Sequence, residues 1–265
     1  MKKITRIKLF ISDNDKSKMV GLELKNKLIN LGYIIVDDDC DLGIAIGGDG
    51  TFLNMVRECC FNEDIYYIGI NTGTLGFAQD IYPNNIDEFL SVLQNNQYHE
   101  KLVGYEENVI SSGFNSYVYN SLNEVVVRDK NLGTAYLNVY INDVFLERFT
   151  GDGILISTPF GSTAYNLSLG GSIISDELKA LEITPIAPLN NNKYHNLTSS
   201  IIVPDTKLIR IVPVERTRDL IVIFDGKREA FDDVKEINTS VNKKIRCMKF
   251  GNCDYTTKIN EKFLK

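Results

Sequence analysis

An α/β N-terminal domain with a mostly parallel sheet, joined to a β-rich C-terminal domain of two packed sheets, is the fold class this sequence predicts. Three observations predict it. Across residues 1–100, short apolar runs alternate with stretches of helical spacing, the pattern of a parallel sheet with helical crossovers. Across 101–235, strand-like runs dominate, separated by Asn-Asp, Asp-Gly and Pro turn signals. Across 236–265, the tail holds one more strand candidate and is expected to pack back on the first domain. With 265 residues, 43% of them hydrophobic, the chain can fill two ordinary cores.

The elements follow in order. Ile4–Ile11 reads as a first strand. Asp15–Leu31 places Val20, Leu24, Leu28 and Leu31 near helical spacing and stops at Gly32. Tyr33–Val36, Leu42–Ile46 and Ile65–Ile70 read as further strands, with a helix from the glycine turn after Ile46 to about Cys60. Ile86–Leu93 is a short helix. The β-rich part offers strands at Val103–Ser111, Ser116–Leu122, Glu124–Arg128, Ala135–Ile141, Val144–Thr150 and Ile154–Ser157. Ser172–Ile183 reads as partly helical. Strands resume at Ser200–Val203, Lys207–Val212 and Leu220–Phe224, with a last one at Lys244–Phe250.

The bulk numbers exclude several classes. A formal net charge of -6 and no visible basic patch argue against a nucleic-acid partner. Lys243-Lys244-Ile245-Arg246 is short and reads as a solvated strand end. No apolar run approaches a membrane span, and Met1–Phe10 reads as a strand start with no signal-peptide h-region. The five cysteines, Cys40, Cys59, Cys60, Cys247 and Cys253, show no CxxC spacing. They are expected to be free thiols in a reducing cytoplasm. With only His99 and His195, a histidine metal site or triad is not expected. An anionic substrate would therefore be held by backbone donors, a few cations and a metal.

Gly47-Gly48-Asp49-Gly50-Thr51 follows the buried strand at Leu42–Ile46 and opens a helix. A glycine turn between strand and helix lets backbone N–H groups approach phosphate oxygens. The carboxylate inside it repels a polyphosphate unless a metal intervenes or it has work of its own, the obvious work being to take a proton from a hydroxyl that attacks the phosphate. The motif thus points to phosphate transfer from a nucleotide to an alcohol, against the alternative of plain turn chemistry. It lacks the P-loop lysine and is not GxGxxG. Asn71-Thr72-Gly73-Thr74-Leu75-Gly76-Phe77 suits a nucleotide's phosphate or base, or a tight connection. Asn123-Glu124 puts an amide beside a carboxylate at a strand end, suiting a ribose diol or an adenine edge, or is an ordinary loop pair. Thr150-Gly151-Asp152-Gly153 and then Ser157–Gly171 can wrap a polar ligand with backbone and hydroxyl donors. Asp225-Gly226 has the plain alternative of a hairpin turn.

In order and spacing, these motifs resemble those of the NAD kinases over nearly the whole chain. Gly-Gly-Asp-Gly is shared with diacylglycerol, sphingosine and phosphofructo-kinases. Thr158-Pro159-Phe160-Gly161-Ser162-Thr163-Ala164-Tyr165 is far more specific. The resemblance implies transfer of phosphate from ATP or polyphosphate, with Mg²⁺ or another divalent metal, to the 2′-hydroxyl of the adenosine ribose of NAD. It implies Asp49 as proton acceptor, and Gly47, Gly48, Gly50 and Thr51 around the donor phosphates. It implies NAD contacts from Asp49, Gly50, Phe77 on the adenine side, Asn123, Glu124, Thr150, Asp152 near the nicotinamide end, Thr163, Ala164, Tyr165, Asn166, Leu167, Ser168 and Ala187. A cytoplasmic homodimer or homotetramer is implied as well, with metal ligands unassigned. Thr150 stands where some members carry Arg, Thr74 where His or Asn is common, and Gly226 where some carry His. No cationic contact is therefore expected at 150. A lipid or sugar-alcohol kinase and a non-catalytic nucleotide sensor are the competing classes.

Overall fold

The computed structural model describes residues 3–73, 76–214, 216–251 and 255–264. Thr74, Leu75 and Cys253, singled out in the sequence, lie outside the described residues. The chain divides into two compact units, Met1–Val103 with Lys244–Lys265, and Gly104–Lys243.

The first unit opens β1 (Arg6–Ile11), α1 (Asp15–Asn30), β2 (Ile34–Ile35), β3 (Leu42–Gly47), α2 (Asp49–Glu58), β4 (Tyr66–Asn71) and α3 (Ile86–Gln94). The strands pair parallel in the order β2-β1-β3-β4. Asn14 caps α1, its side-chain oxygen accepting the Ser17 N–H at 2.8 Å, and satisfies a donor the first turn would leave unpaired. Val20, Leu24 and Leu28 then face inward together. All of β3 is buried, which explains its unbroken apolar run: a parallel sheet is covered on both faces. Leu24, Leu28, Ile44, Ile46, Ile68, Phe89 and Leu93 share one core.

The second unit takes β5 (His99–Ser112, which begins in the first unit), β6 (Asn115–Ser121), β7 (Glu124–Asp129), β8 (Ala135–Ile141), β9 (Val144–Gly151), β10 (Gly153–Ser157), α4 (Tyr165–Ser168), β11 (Ala180–Ile186), β12 (Ile201–Pro204), β13 (Ile209–Pro213), β14 (Leu220–Phe224), β15 (Lys227–Phe231) and β16 (Val234–Lys249). One antiparallel sheet runs β12-β11-β10-β7-β14-β15. The other brings together β13, β8 and β9 with the first half of β16. Val125, Val127, Ile154, Ile156 and Val222 from the first sheet meet Leu137, Val139, Ile209, Ile211 and Ile237 from the second in a common core. On the other face of β7, Val126 packs with Leu155 and Ile186, and Leu169 covers them. Both faces of β7 are thus covered.

Four expectations change. Ser172–Ile183 forms no helix: Ile174 gives its N–H to Ser162 Oγ at 3.1 Å and Ser172 to Glu182 Oε1 at 2.8 Å, and β11 begins at Ala180. These side-chain acceptors take amide hydrogens a helix would need. Strand β15, with Lys227, Arg228 and Glu229, carries no apolar run and sits at the sheet edge. Lys243–Arg246 lies inside β16 instead of at a strand end. The expected boundary at 236 also falls inside β16, whose first half pairs with β13 (Ile237 opposite Ile211) and whose later residues pair parallel with β4 (Arg246 opposite Tyr66). The chain then ends in α5 (Tyr255–Ile259) and a π-helical turn over Asn260–Leu264. Among the described residues, no helix is long and apolar enough to cross a membrane.

Leu24 is fully buried. Leu24→Ala should lower unfolding free energy by about 2–5 kcal/mol, read from urea unfolding curves; a loss under about 1 kcal/mol would mean the α1 contact with the sheet is loose.

Candidate active site

In the first unit, β3 passes into α2 through Gly47 and Gly48. A Cβ on Gly47 would lie 2.2 Å from Thr51 Oγ1 and 3.0 Å from Ser12 Cβ, so only glycine fits this joint. Gly48 occupies the N-cap position, and α2 starts at Asp49. The first N–H groups of a helix have no partner within it and carry the positive end of its dipole. Beside Gly50, nothing among the described residues lies within 4 Å of where a Cβ would sit.

The Asp49 carboxylate is oriented by backbone. Oδ2 accepts the Phe77 N–H at 3.0 Å and Oδ1 accepts the Ala78 N–H at 2.9 Å. Each carboxylate oxygen has a second lone pair, so the group can still accept a hydroxyl proton. The loop that supplies those two donors is anchored from behind. Lys258 Nζ donates to Phe77 O at 3.0 Å and pairs with Asp80, whose other oxygen lies 2.9 Å from Lys249 Nζ. The Phe77 ring packs 5.3 Å from that of Phe263. Asn71 Oδ1 accepts the Gly73 N–H at 3.0 Å, and the Thr72 and Ser17 hydroxyls share a 2.7 Å hydrogen bond. The polar side chains of Asn71 and Thr72 therefore shape the connection after β4.

In the second unit, Asn123 and Glu124 stand at the entry to β7. Asp225-Gly226 is the two-residue tip of the β14–β15 hairpin, with φ of 47° and 79°, a turn that needs left-handed backbone at both positions. The Asp225 carboxylate reaches back to the pair: Oδ2 accepts the Leu122 N–H at 2.8 Å, and Oδ1 accepts those of Asn123 at 2.7 Å and Glu124 at 3.3 Å. Glu124 is buried, and its Oε2 has no hydrogen-bond partner among the described residues. Burial, then the charge of Asp225, pushes its carboxyl from 4.5 up to about 8, while the Tyr165 backbone N–H pulls the other way. Behind it, fully buried Glu106 is also driven well above the usual carboxylate range by burial, and Ser121 Oγ donates to it at 2.6 Å.

The segment after β10 closes on the same pair. Thr158 donates its hydroxyl to Leu122 O at 2.6 Å and its N–H to Asn123 O at 2.9 Å. A Cβ on Gly161 would lie 2.1 Å from Asn123 O, so glycine is required for this contact. Beyond it, Thr163, Ala164 and Leu167 are half-buried, and Tyr165 and Ser168 are exposed. Asn166 points inward instead. Its amide donates to Glu182 Oε2 at 2.8 Å and accepts from Thr184 Oγ1 at 2.6 Å. Thr150 is fully buried, its N–H donating to Asn196 Oδ1 at 2.8 Å and its carbonyl accepting the Leu189 N–H at 2.8 Å. Asp152 is exposed at the β9–β10 turn, 3.7 Å from Arg128 Nη2, and gives its N–H to Ile186 O at 2.9 Å. Next to Ile186, Ala187 holds φ of +45°, a strained conformation for a residue with a Cβ. Among the described residues, no three His, Cys, Asp or Glu side chains group to hold a metal ion.

Residues 12–98 match the family model of the ATP-NAD kinase N-terminal domain, and residues 122–249 that of the ATP-NAD kinase C-terminal domain. The chain belongs to the ATP-NAD kinase family. It is 38% identical to an NAD kinase of Finegoldia magna, covering 97% of each chain. It is 35% identical to NAD kinase 2 of Listeria monocytogenes, covering 91% of this chain and 92% of that one. Its fold is that of a yeast NADH kinase crystallised with NADH, with a TM-score of 0.87, 21% identity, and coverage of 98% of this chain and 88% of that one. It is also that of an NAD kinase from Archaeoglobus fulgidus in complex with ATP, with a TM-score of 0.77, 21% identity, and coverage of 97% and 99%.

In this ATP-NAD kinase, Asp80 and Lys258, which the motifs did not mark, hold the loop that aims Asp49, and Asp225, whose plain reading was a hairpin turn, holds the backbone of Leu122–Glu124. The protonation of Glu124 can be checked by stability. In the unfolded chain its carboxyl releases a proton near 4.5 and in the fold near 8. The folded state therefore holds the extra proton in between, and stability falls as pH rises through that window. Glu124→Gln should flatten the decline of Tm between these two pH values. An identical slope in both proteins would show that Glu124 ionises normally.

Proposed function

We infer that this protein is an NAD kinase, which transfers the terminal phosphate of ATP to the 2′-hydroxyl of the adenosine ribose of NAD and yields NADP. Family membership over nearly the whole chain supports the reaction. The observation that carries the chemistry is the Asp49 carboxylate, aimed by the Phe77 and Ala78 N–H groups at the start of α2. Asp49 accepts the hydroxyl proton as the ribose oxygen attacks the γ-phosphorus. Gly47, Gly48, Gly50 and Thr51 offer the donor phosphates the N–H groups of the helix start, where anions are favoured. Phosphoryl transfer depends mostly on positioning and charge neutralisation, so few side chains are needed. Polyphosphate presents the same terminal group and is the alternative donor.

NAD is held by Asn123 and Glu124, by Asp152 toward the nicotinamide, by the Thr163–Ser168 segment, and by Phe77 on the adenine side, with Ala187 nearby. The unpartnered Oε2 of Glu124 supports its role, because a buried carboxyl without a partner is a ready site for a ligand donor or acceptor. Asn166 contributes by holding the backbone at Ser162 and Ser172, while Thr150 is buried with its Oγ1 unpartnered among the described residues and is kept as an NAD contact. Among the described residues no group forms a metal cage. Mg²⁺ is accordingly read as part of the substrate, arriving on the ATP phosphates, as that ion commonly does. The enzyme is read as cytoplasmic, which its free Cys40, Cys59, Cys60 and Cys247 support. A homodimer or homotetramer is the proposed assembly, with exposed Val144 and Phe145 at the β8–β9 tip as available apolar surface. A monomer mass by light scattering would remove that part.

A general base contributes about 10²–10⁴-fold. Asp49→Asn should lower NADP formation by about that factor while NAD still binds by calorimetry; near-normal turnover would exclude the base role. Glu124→Ala should instead weaken NAD binding, and an unchanged affinity would remove it from the pocket.

A further inference from the structure

A second chemical feature lies away from the Asp49 carboxylate. Cys40 immediately precedes β3, and Cys59 is the C-cap residue of α2. These are the two ends of the unit that carries the Gly-Gly-Asp-Gly turn. Their thiols are hydrogen-bonded to each other, Cys59 donating to Cys40. Both line one cavity of about 200 Å³, together with Lys8, Asp39, Glu58 and exposed Cys60. The backbone around Cys59 is shaped to hold it there, since Cys60 and Phe61 both take φ of 52°.

We propose that Cys40 and Cys59 are a peroxide-reactive dithiol, whose disulfide staples the far ends of β3 and α2. The chemistry fits the two environments. The hydrogen bond from Cys59 brings the Cys40 thiol down to about 7, with Lys8 adding in the same direction. Donating that hydrogen bond, with burial, drives Cys59 up. One sulfur is thus poised as thiolate nucleophile and the other keeps its proton, the division of roles a reactive dithiol needs. The third thiol of this region, buried Cys247, is pushed up to about 12 by burial and is inert by comparison.

In the first step, Cys40 thiolate attacks hydrogen peroxide: an S–O bond forms, the O–O bond breaks, and hydroxide leaves. In the second, Cys59 sulfur attacks the Cys40 sulfenic sulfur: the S–S bond forms, the S–O bond breaks, and water leaves with the Cys59 proton. Two thiols and one peroxide give one disulfide and two waters. The ring so closed contains β3, the glycine turn and α2. Neither thiol contacts the Asp49 carboxylate, whose hydrogen bonds come from Phe77 and Ala78, so reduced Cys40→Ser and Cys59→Ser proteins should phosphorylate NAD at the parent rate. The proposal stands independently of which alcohol the enzyme phosphorylates.

The test uses full-length protein carrying Cys60→Ser, which removes the exposed thiol. The reduced protein is treated with hydrogen peroxide, alkylated under denaturing conditions and digested without reductant. The expected product is a peptide pair joined through Cys40 and Cys59. Tm should rise by about 5 °C, from the loss of loop freedom in the unfolded chain, and return with dithiothreitol. In Cys59→Ser, Cys40 should be trapped as a sulfenic acid by dimedone, and in Cys40→Ser the Cys59 thiol should stay alkylatable. Two thiols still alkylated after peroxide, oxidation confined to Cys59, or a link to Cys247 would each overturn the proposal.

Discussion

The candidate site of the first unit depends on a carboxylate held by two backbone amides. Asp49 accepts from Phe77 and Ala78, and those donors come from a loop with no regular structure of its own. Such a loop keeps its shape only if something pins it. Here the pins are Lys258, which meets both Phe77 O and Asp80, and Lys249, which meets the other Asp80 oxygen. Asp80 is nearly buried, so its two cations answer a charge that would otherwise be expensive to desolvate. The C-terminal turns are thereby part of what aims Asp49, though they lie far from it in sequence. A carboxylate fixed by main chain has little rotamer freedom left to lose when substrate arrives, which is the condition positioning catalysis needs.

The second unit uses the same device with the roles exchanged. Asp225 has its oxygens answered by three N–H groups and serves the backbone of Leu122–Glu124. Glu124, buried beside that charge with one oxygen unpartnered, is the carboxyl held neutral. Burial, then the neighbouring Asp225 charge, outweighs the one backbone donor to Glu124, the Tyr165 N–H, and raises its carboxyl. Glu106 behind them is likewise raised, since complete burial outweighs its donors, the Ser121 hydroxyl and the Val125 backbone N–H.

Legibility in the sequence followed the range of the interaction. Strands β3, β4, β7 and β14 read correctly because burial on both faces leaves an unbroken apolar run. Strand β15 did not, because an edge strand can carry Lys227, Arg228 and Glu229 in succession. Ser172–Ile183 misread as helix because its amides are claimed by Ser162 and Glu182, partners that no local pattern reveals. At the site, Asp49 and Asn123-Glu124 were visible because their meaning lies in adjacent residues. Asp225 read only as a turn, and Asp80 and Lys258 not at all, since each acts across scores of intervening positions. Asn166 carried a polar side chain in a ligand-like segment, yet it is buried in its own unit's hydrogen bonds, to Glu182 and Thr184. Polarity in a sequence marks a need for partners and does not say whether the partner is a ligand or the fold.

A polyanionic donor bound by a chain of net charge -6 raises the question of where the attraction comes from. A general positive field is not available, and the glycine turn offers no lysine. On the proposed reading, what remains is short-range: N–H groups at the start of α2, with roughly half a positive charge from its dipole, and a cation arriving with the nucleotide. Such interactions fall off within about one helical turn, so they contribute only when the phosphate is already seated. A long-range field would draw in any polyphosphate. A short-range cradle next to a fixed carboxylate discriminates by fit, because a phosphate displaced toward Asp49 meets repulsion and one displaced outward loses its donors. The acidic surface and the glycine cradle are therefore compatible, and together they make geometry the selector of the donor.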